Sequence, residues 1–493
     1  MRITIDAGKT VDTAIYALYE GDSHLFPFSE LNKRPHTLTW IYARNPGEQD
    51  WLAVGMGEAS RATREQVRRT GAACVRAMMK EQRSGAELIR SSCGSAHEGK
   101  GLSPEEELQA WAEGWLYGLY RFTKHRGREA YQPEATLNLR LQDWPELTRE
   151  QIQDILHRAA VRSEGTRLAR DLVNDSPELL NPEAFVELVC GRWKEQPVQI
   201  QVYRGQELAE RQMNGLLAVG AGSRHEPALI EITYRHAPDP DELPIALVGK
   251  GITFDMGGMN VKTGRDISDA RMDMGGAAAV IGAMDILISS RARVNAVALI
   301  AVADNLPGPD AMLPSSVIRY PNGLTVQVAN TDGEGRLILA DALLHAAAMG
   351  VRKVIDIATL TGNIGTALGL ELAGIWGDEE ITRDLVEIGE RNGERLWPMP
   401  LVEEYVSDLR SDYADLRNVG ASPLAGAISA ALFIRHFVDE DMQWVHIDMA
   451  GTVQYKREYP HAAAGATGYG ARLLADYVQK QFPSQVNPAS DRR

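Results

Sequence analysis

Three short stretches of the chain set charged residues among glycines: VGKGITFDMGGMNVK from Val248 to Lys262, ARMDMGGAAAV around Asp273, and VANTDGEGRLILADAL around Asp332 and Glu334. They carry four carboxylates, Asp255, Asp273, Asp332 and Glu334, with Lys250, Lys262 and Arg336 beside them. Acids gathered a few ångströms apart raise one another's pKa steeply, so positive charge must stand among them. Lysine, arginine or metal ions have to supply it. A carboxylate-rich set selects hard or borderline divalent cations, and two ions sharing carboxylates form the usual hydrolytic pair. The 11 histidines follow no HExxH or HxH pattern and none lies in these stretches, so a metal site here is built mainly from carboxylate. Glycines on either side of the charged residues leave room for ions and substrate.

Each of these residues alone has an ordinary reading. An Asp after a strand is commonly a cap or turn residue, acids ahead of a helix compensate its dipole, and a lysine at a strand end is usually solvated. Three separate segments placing such charges at strand ends is what points to a site. Two rival motifs fail. A phosphate-binding loop needs GxxxxGK followed by Ser or Thr, but Pro244 stands where the first Gly belongs and Gly251 follows the Lys. No GxSxG elbow is present for a serine hydrolase.

The elements that must hold these residues alternate along the second part of the chain. The pattern predicts strands at Pro244–Lys250, Val294–Ala303 and Val351–Ile357, with helices from about Gly275 to Ser289 and Leu337 to Met349. Near-continuous apolar strands between helices indicate a mostly parallel sheet covered on both faces. In such sheets ligands bind at the carboxyl ends of the strands, where the three charged stretches fall. The first 140 or so residues read as another α/β unit, with strands at Thr37–Ala43 and Trp51–Val54 and helices at about Arg61–Glu81 and Pro104–Phe122. LSPEE at 102–106 supplies a Ser cap, a Pro at the first helical position and early acids. A charged helical run between about Trp144 and Leu172 reads as a connector, and NDSPELLNP at 174–182 as turn chemistry opening the second domain. The expected domains are therefore residues 1–148, a connecting helix over 149–173, and 174–493.

Over 493 residues, 52 Lys and Arg against 67 Asp and Glu give a formal charge of −15, which repels phosphate backbones and argues against general nucleic-acid binding. Cys74, Cys93 and Cys190 are odd in number and widely spaced, encoding neither a disulfide framework nor a thiolate zinc site. A reducing cytoplasm is the expected location. The first residues, MRITIDAGKTVDTAIY, lack the profile of a secretory signal. No apolar stretch is expected to span a bilayer, the best candidate being Ala296–Ala303. The tail after Phe482 is expected to fray.

NTDGEGRL, GKGITFDMGG with Lys262, and DMGGAAAV resemble the signatures of the leucyl aminopeptidase family, the M17 metallopeptidases. Further likenesses are RDLVNDSPELLNP, DIATLTG from Asp356, GERLWPMPL from Gly393, SDYADLRNVG at 411–420 and WVHIDMAGT from Trp444. The resemblance is strong over roughly residues 160–480. It implies an α/β fold with an amino-terminal macro-like domain and a larger catalytic α/β domain whose parallel-rich central sheet is flanked by helices. It further implies hydrolysis of the first peptide bond of peptides with a free amino terminus. Lys250, Asp255, Asp273 and Glu334 are implied to bind one divalent ion, and Asp255, Asp332 and Glu334 a second, with Mn or Zn expected. Lys262 and Arg336 are implied to be catalytic, the first at the oxyanion and the second holding a bicarbonate ion. Ala270, Thr359 and Gly362 are placed in the pocket for the substrate's first side chain. A homohexamer is implied, with no membrane association. Met256, Thr263, Ala270 and Gly333 depart from the usual Ser, Pro, Met and Ala of the family. The alternatives weighed are a DNA-binding regulator on the same fold and a non-catalytic scaffold.

Overall fold

The computed structural model describes residues 2–6, 11–21, 31–45, 47–90, 101–127, 134–239, 243–264 and 266–482. Cys93 and the tail expected to fray lie outside the described residues. The chain divides into two compact units, one taking in residues 1–167, 391–393 and 455–465, the other 168–390, 394–454 and 466–493.

The first unit carries a six-stranded sheet built from β1 (Ile3–Ile5), β2 (Thr13–Tyr19), β3 (Leu38–Ile41), β4 (Asp50–Gly57), β5 (Gly85–Ile89) and β6 (Thr136–Leu139). Its order is β1-β6-β5-β2-β4-β3, parallel throughout except where β3 pairs antiparallel with β4. Helix α1 (Arg64–Lys80) starts at Thr63, whose side chain accepts from Gln66 N. Helix α2 (Pro104–Gly118) starts with the capping box read from LSPEE: Ser103 and Glu106 each accept from the other's backbone. It stops at Gly118, four residues before the expected Phe122. Gly114 lets α2 settle on α1, since a Cβ there would stand 2.1 Å from Arg68 O. Trp111, Trp115 and Trp144 fill the core beneath. Helix α3 (Arg149–Asn174) is one continuous element, and the division between the units passes through it after Arg167.

After α4 (Pro182–Arg192), the second unit forms an eight-stranded sheet. Its first four strands are β7 (Gln199–Arg204), β8 (Ala228–Arg235), β9 (Ile245–Asp255) and β10 (Asn295–Asn305), with α5 (Gln206–Glu210) and α6 (Asn214–Gly220) between β7 and β8. Helix α7 (Gly275–Ser289) joins β9 to β10, and α8 (Gly335–Ala348) follows the short strands β11 (Val317–Arg319) and β12 (Thr325–Gln327). Then come β13 (Lys353–Ala358), β14 (Ala373–Gly377), β15 (Leu396–Pro398), a two-residue β16 (Leu416–Arg417) beside β12, and β17 (Gln443–Asp448).

The sheet order is β15-β14-β17-β13-β9-β10-β8-β7. Its centre, β17-β13-β9-β10, is parallel as expected; β14 pairs antiparallel with β17, and β8 pairs antiparallel with both β10 and β7. Alternation along β10 explains the unbroken apolar run. Ala296, Ala298, Ile300 and Val302 enter one core with α7, while Val297, Leu299, Ala301 and Ala303 enter the other with α8.

Among the described residues the most membrane-like stretch is a helix and not the expected Ala296–Ala303. Ser268–Ser289, a 3₁₀ turn running into α7, is long and apolar enough to cross a membrane, although Asp269, Arg271 and Asp273 break its first turns. Its most apolar window is 89% buried within the protein, which makes it the core helix of the unit. It is the one helix of that length and composition among the described residues.

Candidate metal centre

The strand that carries Lys250 and Asp255 runs five residues past the end its apolar pattern shows, to Asp255 itself. Lys250 and Asp255 are five apart, so a regular strand would send them to opposite faces. The pairing with β10 slips between them: Ile252 faces Ala303 and Asp255 faces Asn305, three residues on β9 against two on β10. The extra residue re-aims Asp255 to the side of Lys250. Asp273 sits in the 3₁₀ turn ahead of α7, and Glu334 is the cap residue of α8, which starts at Gly335, two residues before the expected Leu337. The carboxyl ends of two strands and the starts of two helices thus meet.

Ligand oxygens of Asp255, Asp273 and Glu334 lie within 4.8 Å of one another. Lys250 Nζ stands 2.7 Å from Asp273 Oδ2 and 2.9 Å from Glu334 Oε1, and donates to Thr359 O at 3.1 Å. Lys262 Nζ stands 2.7 Å from Asp255 Oδ2 and also contacts Asp332 Oδ1. Lys250, Asp255 and Glu334 are buried, while the Asp332 side chain keeps 31% of its surface exposed. Arg336, in the first turn of α8, is buried and donates through Nη1 to Asn418 O at 2.8 Å; its Nε has no partner.

Charge governs these groups. Four carboxyl groups stand against two ammoniums in a largely buried space, more acids than the lysines can neutralise if all ionise. Burial, then Glu334, raises the Asp255 carboxyl to about 6 despite both lysines. Burial drives Asp273 well above the ordinary carboxyl range. Burial opposes the charge on Lys250, but Asp273, Glu334 and Asp255 outweigh it and hold the ammonium above its usual value. Glu334 is also opposed by burial, yet Lys250 and Lys262 keep it below its usual value. The chain has thus packed more acids together than its own cations neutralise.

A divalent cation fits this donor set. All the donors are hard oxygens apart from one amine, which is the preference of Mn²⁺ and Zn²⁺ rather than of soft metals. Asp273 Oδ2 is buried with Lys250 Nζ 2.7 Å away, so a cation bound here would take over a charge contact that the ammonium now makes.

Of the expected pocket residues, Thr359 is drawn into the site, its Oγ1 donating to Asp273 Oδ1 at 2.9 Å. Ala270 is half-buried one turn before Asp273. Gly362 is exposed at the start of α9 (Gly362–Leu368), with open space where a Cβ would project. Other residues the sequence did not single out shape the site. Asp448, at the end of β17, accepts from Leu360 N, Thr361 N and Thr361 Oγ1 and so fixes the loop that bears Thr359. Asn418 accepts from Ala329 N and Asn330 N and donates to Asn330 O, bracing the NTDGEGRL stretch. Asn305 reaches Asp255 and Glu334. In the sequence these are single polar residues at strand ends, indistinguishable from turn chemistry.

Residues 167–475 match the model of the cytosol aminopeptidase family, catalytic domain. The chain belongs to this family. The probable cytosol aminopeptidase of Syntrophotalea carbinolica is 37% identical over 479 residues, covering 96% of this chain and 94% of that protein. Its counterpart from Geobacter sulfurreducens is 36% identical over 451 residues, 91% of this chain and 88% of the relative. Among solved structures, the bottromycin maturation enzyme BotP in complex with Mn matches with a TM-score of 0.86 at 31% identity, over 96% of this chain and 100% of BotP. The protein is accordingly a metal-dependent aminopeptidase, a hydrolase that removes the amino-terminal residue of peptides. The regulator and scaffold alternatives gain no support.

Gly335 leaves the room that the end of Lys250 occupies. A Cβ there would come within 2.6 Å of Lys250 Cε and 2.7 Å of its Nζ. Because the clash is with the end of a flexible side chain, Gly335→Ala is expected to fold and to push Lys250 aside. Displacing such a group by about an ångström costs on the order of a hundredfold in turnover. Steady-state kinetics beside a melting curve checks this: near-wild-type turnover with Lys250 displaced in a crystal structure of the variant would refute the expected cost.

Proposed function

We propose a dinuclear mechanism in which Lys250, Asp255, Asp273 and Glu334 hold one divalent ion and Asp255, Asp332 and Glu334 the other. The observation that carries it is the convergence of three carboxyl groups within 4.8 Å around Lys250, with Asp332 brought beside Asp255 by their shared contact with Lys262. The manganese in the BotP structure favours Mn²⁺, and the oxygen-rich donor set accommodates Zn²⁺ as well. When bound, such ions act as Lewis acids and lower the pKa of water held between them. Lys250 would serve as a ligand only as a neutral amine, and cations that took over the neutralisation of Asp273 and Glu334 would favour that form. Lys262, freed from Asp255 and Asp332 in the same way, donates to the oxyanion that forms at the scissile carbonyl. Arg336 offers its unpartnered Nε at the start of α8, an anion site that suits bicarbonate as general base.

Residues 174–493 form the catalytic domain in this reading, with 149–173 as the connecting helix and 1–148 as the amino-terminal domain. The substrates are short peptides with a free amino terminus. The family resemblance supports a homohexamer, and the names of the relatives support a cytoplasmic location.

Chelation should abolish activity, and Mn²⁺ or Zn²⁺ should restore it. Asp255→Asn and Glu334→Gln should lose the most, because each weakens both ions. A metal-stripped enzyme that keeps full activity, with stripping verified by elemental analysis, would sink the dinuclear reading.

Lys262→Ala removes a charged donor from the transition state, which typically lowers turnover by roughly a hundredfold to a thousandfold. Metal content measured on the purified variant should stay unchanged. Loss of a metal instead would make Lys262 a structural counter-ion.

Ala270 leaves a shallow wall where a methionine is usual in the family, so large apolar first residues should be accommodated and leucine should not be favoured over Met or Phe. Met272 is buried in the core and Met259 is 43% exposed, which leaves half-buried Met256 as the nearest candidate to fill the gap. Ala270→Met should shift the kcat/KM ranking toward leucine by an amount worth about 1 to 3 kcal/mol. An unchanged ranking across Leu, Met and Phe substrates would remove Ala270 from the pocket.

A further inference from the structure

Asn305 ends β10 and is 2% exposed. Three oxygens surround its Nδ2: Asp255 Oδ1 at 2.9 Å, Thr331 O at 3.1 Å and Glu334 Oε2 at 3.2 Å. The opposite orientation of the amide would set an oxygen against three oxygens, so the network fixes it. Oδ1 is turned to Gly258, where a Cβ would sit 2.7 Å away. The backbone carbonyl of the same residue accepts from Met256 N at 2.9 Å and Gly258 N at 3.3 Å. One residue therefore clamps the loop after Asp255 with its main chain and two site carboxylates with its side chain.

We propose that Asn305 is a positioning residue of the metal centre, its amide holding one oxygen of Asp255 and one of Glu334 so that both carboxylates are oriented for cations. The proposal rests on the dinuclear reading, in which these two carboxylates serve both ions. The partition of oxygens supports it. Asp255 Oδ1 and Glu334 Oε2 are tied by Asn305, whereas Asp255 Oδ2 and Glu334 Oε1 face Lys262 and Lys250. Asp255 Oδ1 also accepts from Gly257 N at 2.9 Å, so its lone-pair sites are filled and Oδ2 is the oxygen left to face a cation, while Glu334 leaves Oε1 free in the same way. The group at this place must also be neutral. A lysine would compete with the ions for the carboxylates, and an acid would be the fifth in a site already holding an excess. The slip between β9 and β10 that brings Asp255 opposite Asn305 is what makes the contact.

The test uses full-length protein dialysed against chelator and titrated with Mn²⁺ by calorimetry. Asn305→Leu keeps the volume and removes the donor; Asn305→Ala removes both. Loss of such an outer partner typically weakens metal binding by roughly 10-fold to 100-fold, and that is the shift expected in either variant. The Mn²⁺ concentration for half-maximal activity should rise in parallel, with KM at saturating Mn²⁺ unchanged. Wild-type protein that binds no Mn²⁺ would overturn the dinuclear reading itself. Wild-type protein that binds Mn²⁺ beside a variant of equal affinity would overturn the role of Asn305 alone. Failure of both variants to fold, even with Mn²⁺ present, would also overturn that role by making Asn305 a folding residue.

Discussion

Like charge held at close range is the constraint around which the catalytic half of this protein is arranged. Two unit charges about 4.8 Å apart repel by roughly 3 kcal/mol at an effective dielectric near 20, and burial together with this cost is what raises the Asp255 and Asp273 carboxyls beside Glu334. Left in water these acids would drift apart. Here α7, α8 and β9 hold them in place, and each of these elements is buried along nearly its whole length. The apolar cores on both faces of the sheet supply the rigidity that keeps the acids together.

The two lysines temper the repulsion without cancelling it. Lys250 is nearly inaccessible and touches Asp273 and Glu334, while Lys262 touches Asp255 and Asp332. In the mechanism we propose, cations would displace both ammoniums, coupling metal loading to the release of one lysine as a ligand and the other as a donor. Close packing sets how finely this is adjusted. Gly276 allows α7 to approach β13 so nearly that a Cβ would lie 2.0 Å from Ile357 O, and Gly335 leaves space for the end of Lys250. Methyl groups at these two places would move either the helix or the lysine.

Neutral donors form the surround of the charged groups. Asn305, Asn418, Thr359 and Thr361 satisfy carboxylates and carbonyls without adding charge, and Asp448 ties the loop after β13 to the end of β17. Deeper between β13 and β17, His446 pairs with Asp356 at 2.5 Å, and Trp444 Nε1 donates to the same carboxylate at 2.7 Å. Burial opposes a proton on His446, but Asp356 holds its pKa above the ordinary value. The sheet thus carries polar pairs right beneath the site, each with its partner on the adjacent strand.

Residue types and local periodicity by themselves determined the donor set and the elements that carry it. Gly275–Ser289 is helical over the expected residues, because its small and aliphatic side chains suit a helix buried on all sides. The capping box at Ser103 and Glu106 formed where LSPEE placed it, since its bonds span only three residues. What chain-distant contacts set was not legible. The reach of β9 to Asp255 comes from a slip against β10, which no pattern within β9 records. The roles of Asn305, Asn418 and Asp448 exist only because strands and loops far apart in sequence lie side by side, and alone each residue looks like a turn former. The pairing of Glu334 with Lys250, 84 positions earlier in the chain, is likewise a tertiary contact that no local pattern records. Sequence fixed which atoms could hold cations, and tertiary packing decided how near they stand, because only packing can overcome the repulsion that separates them.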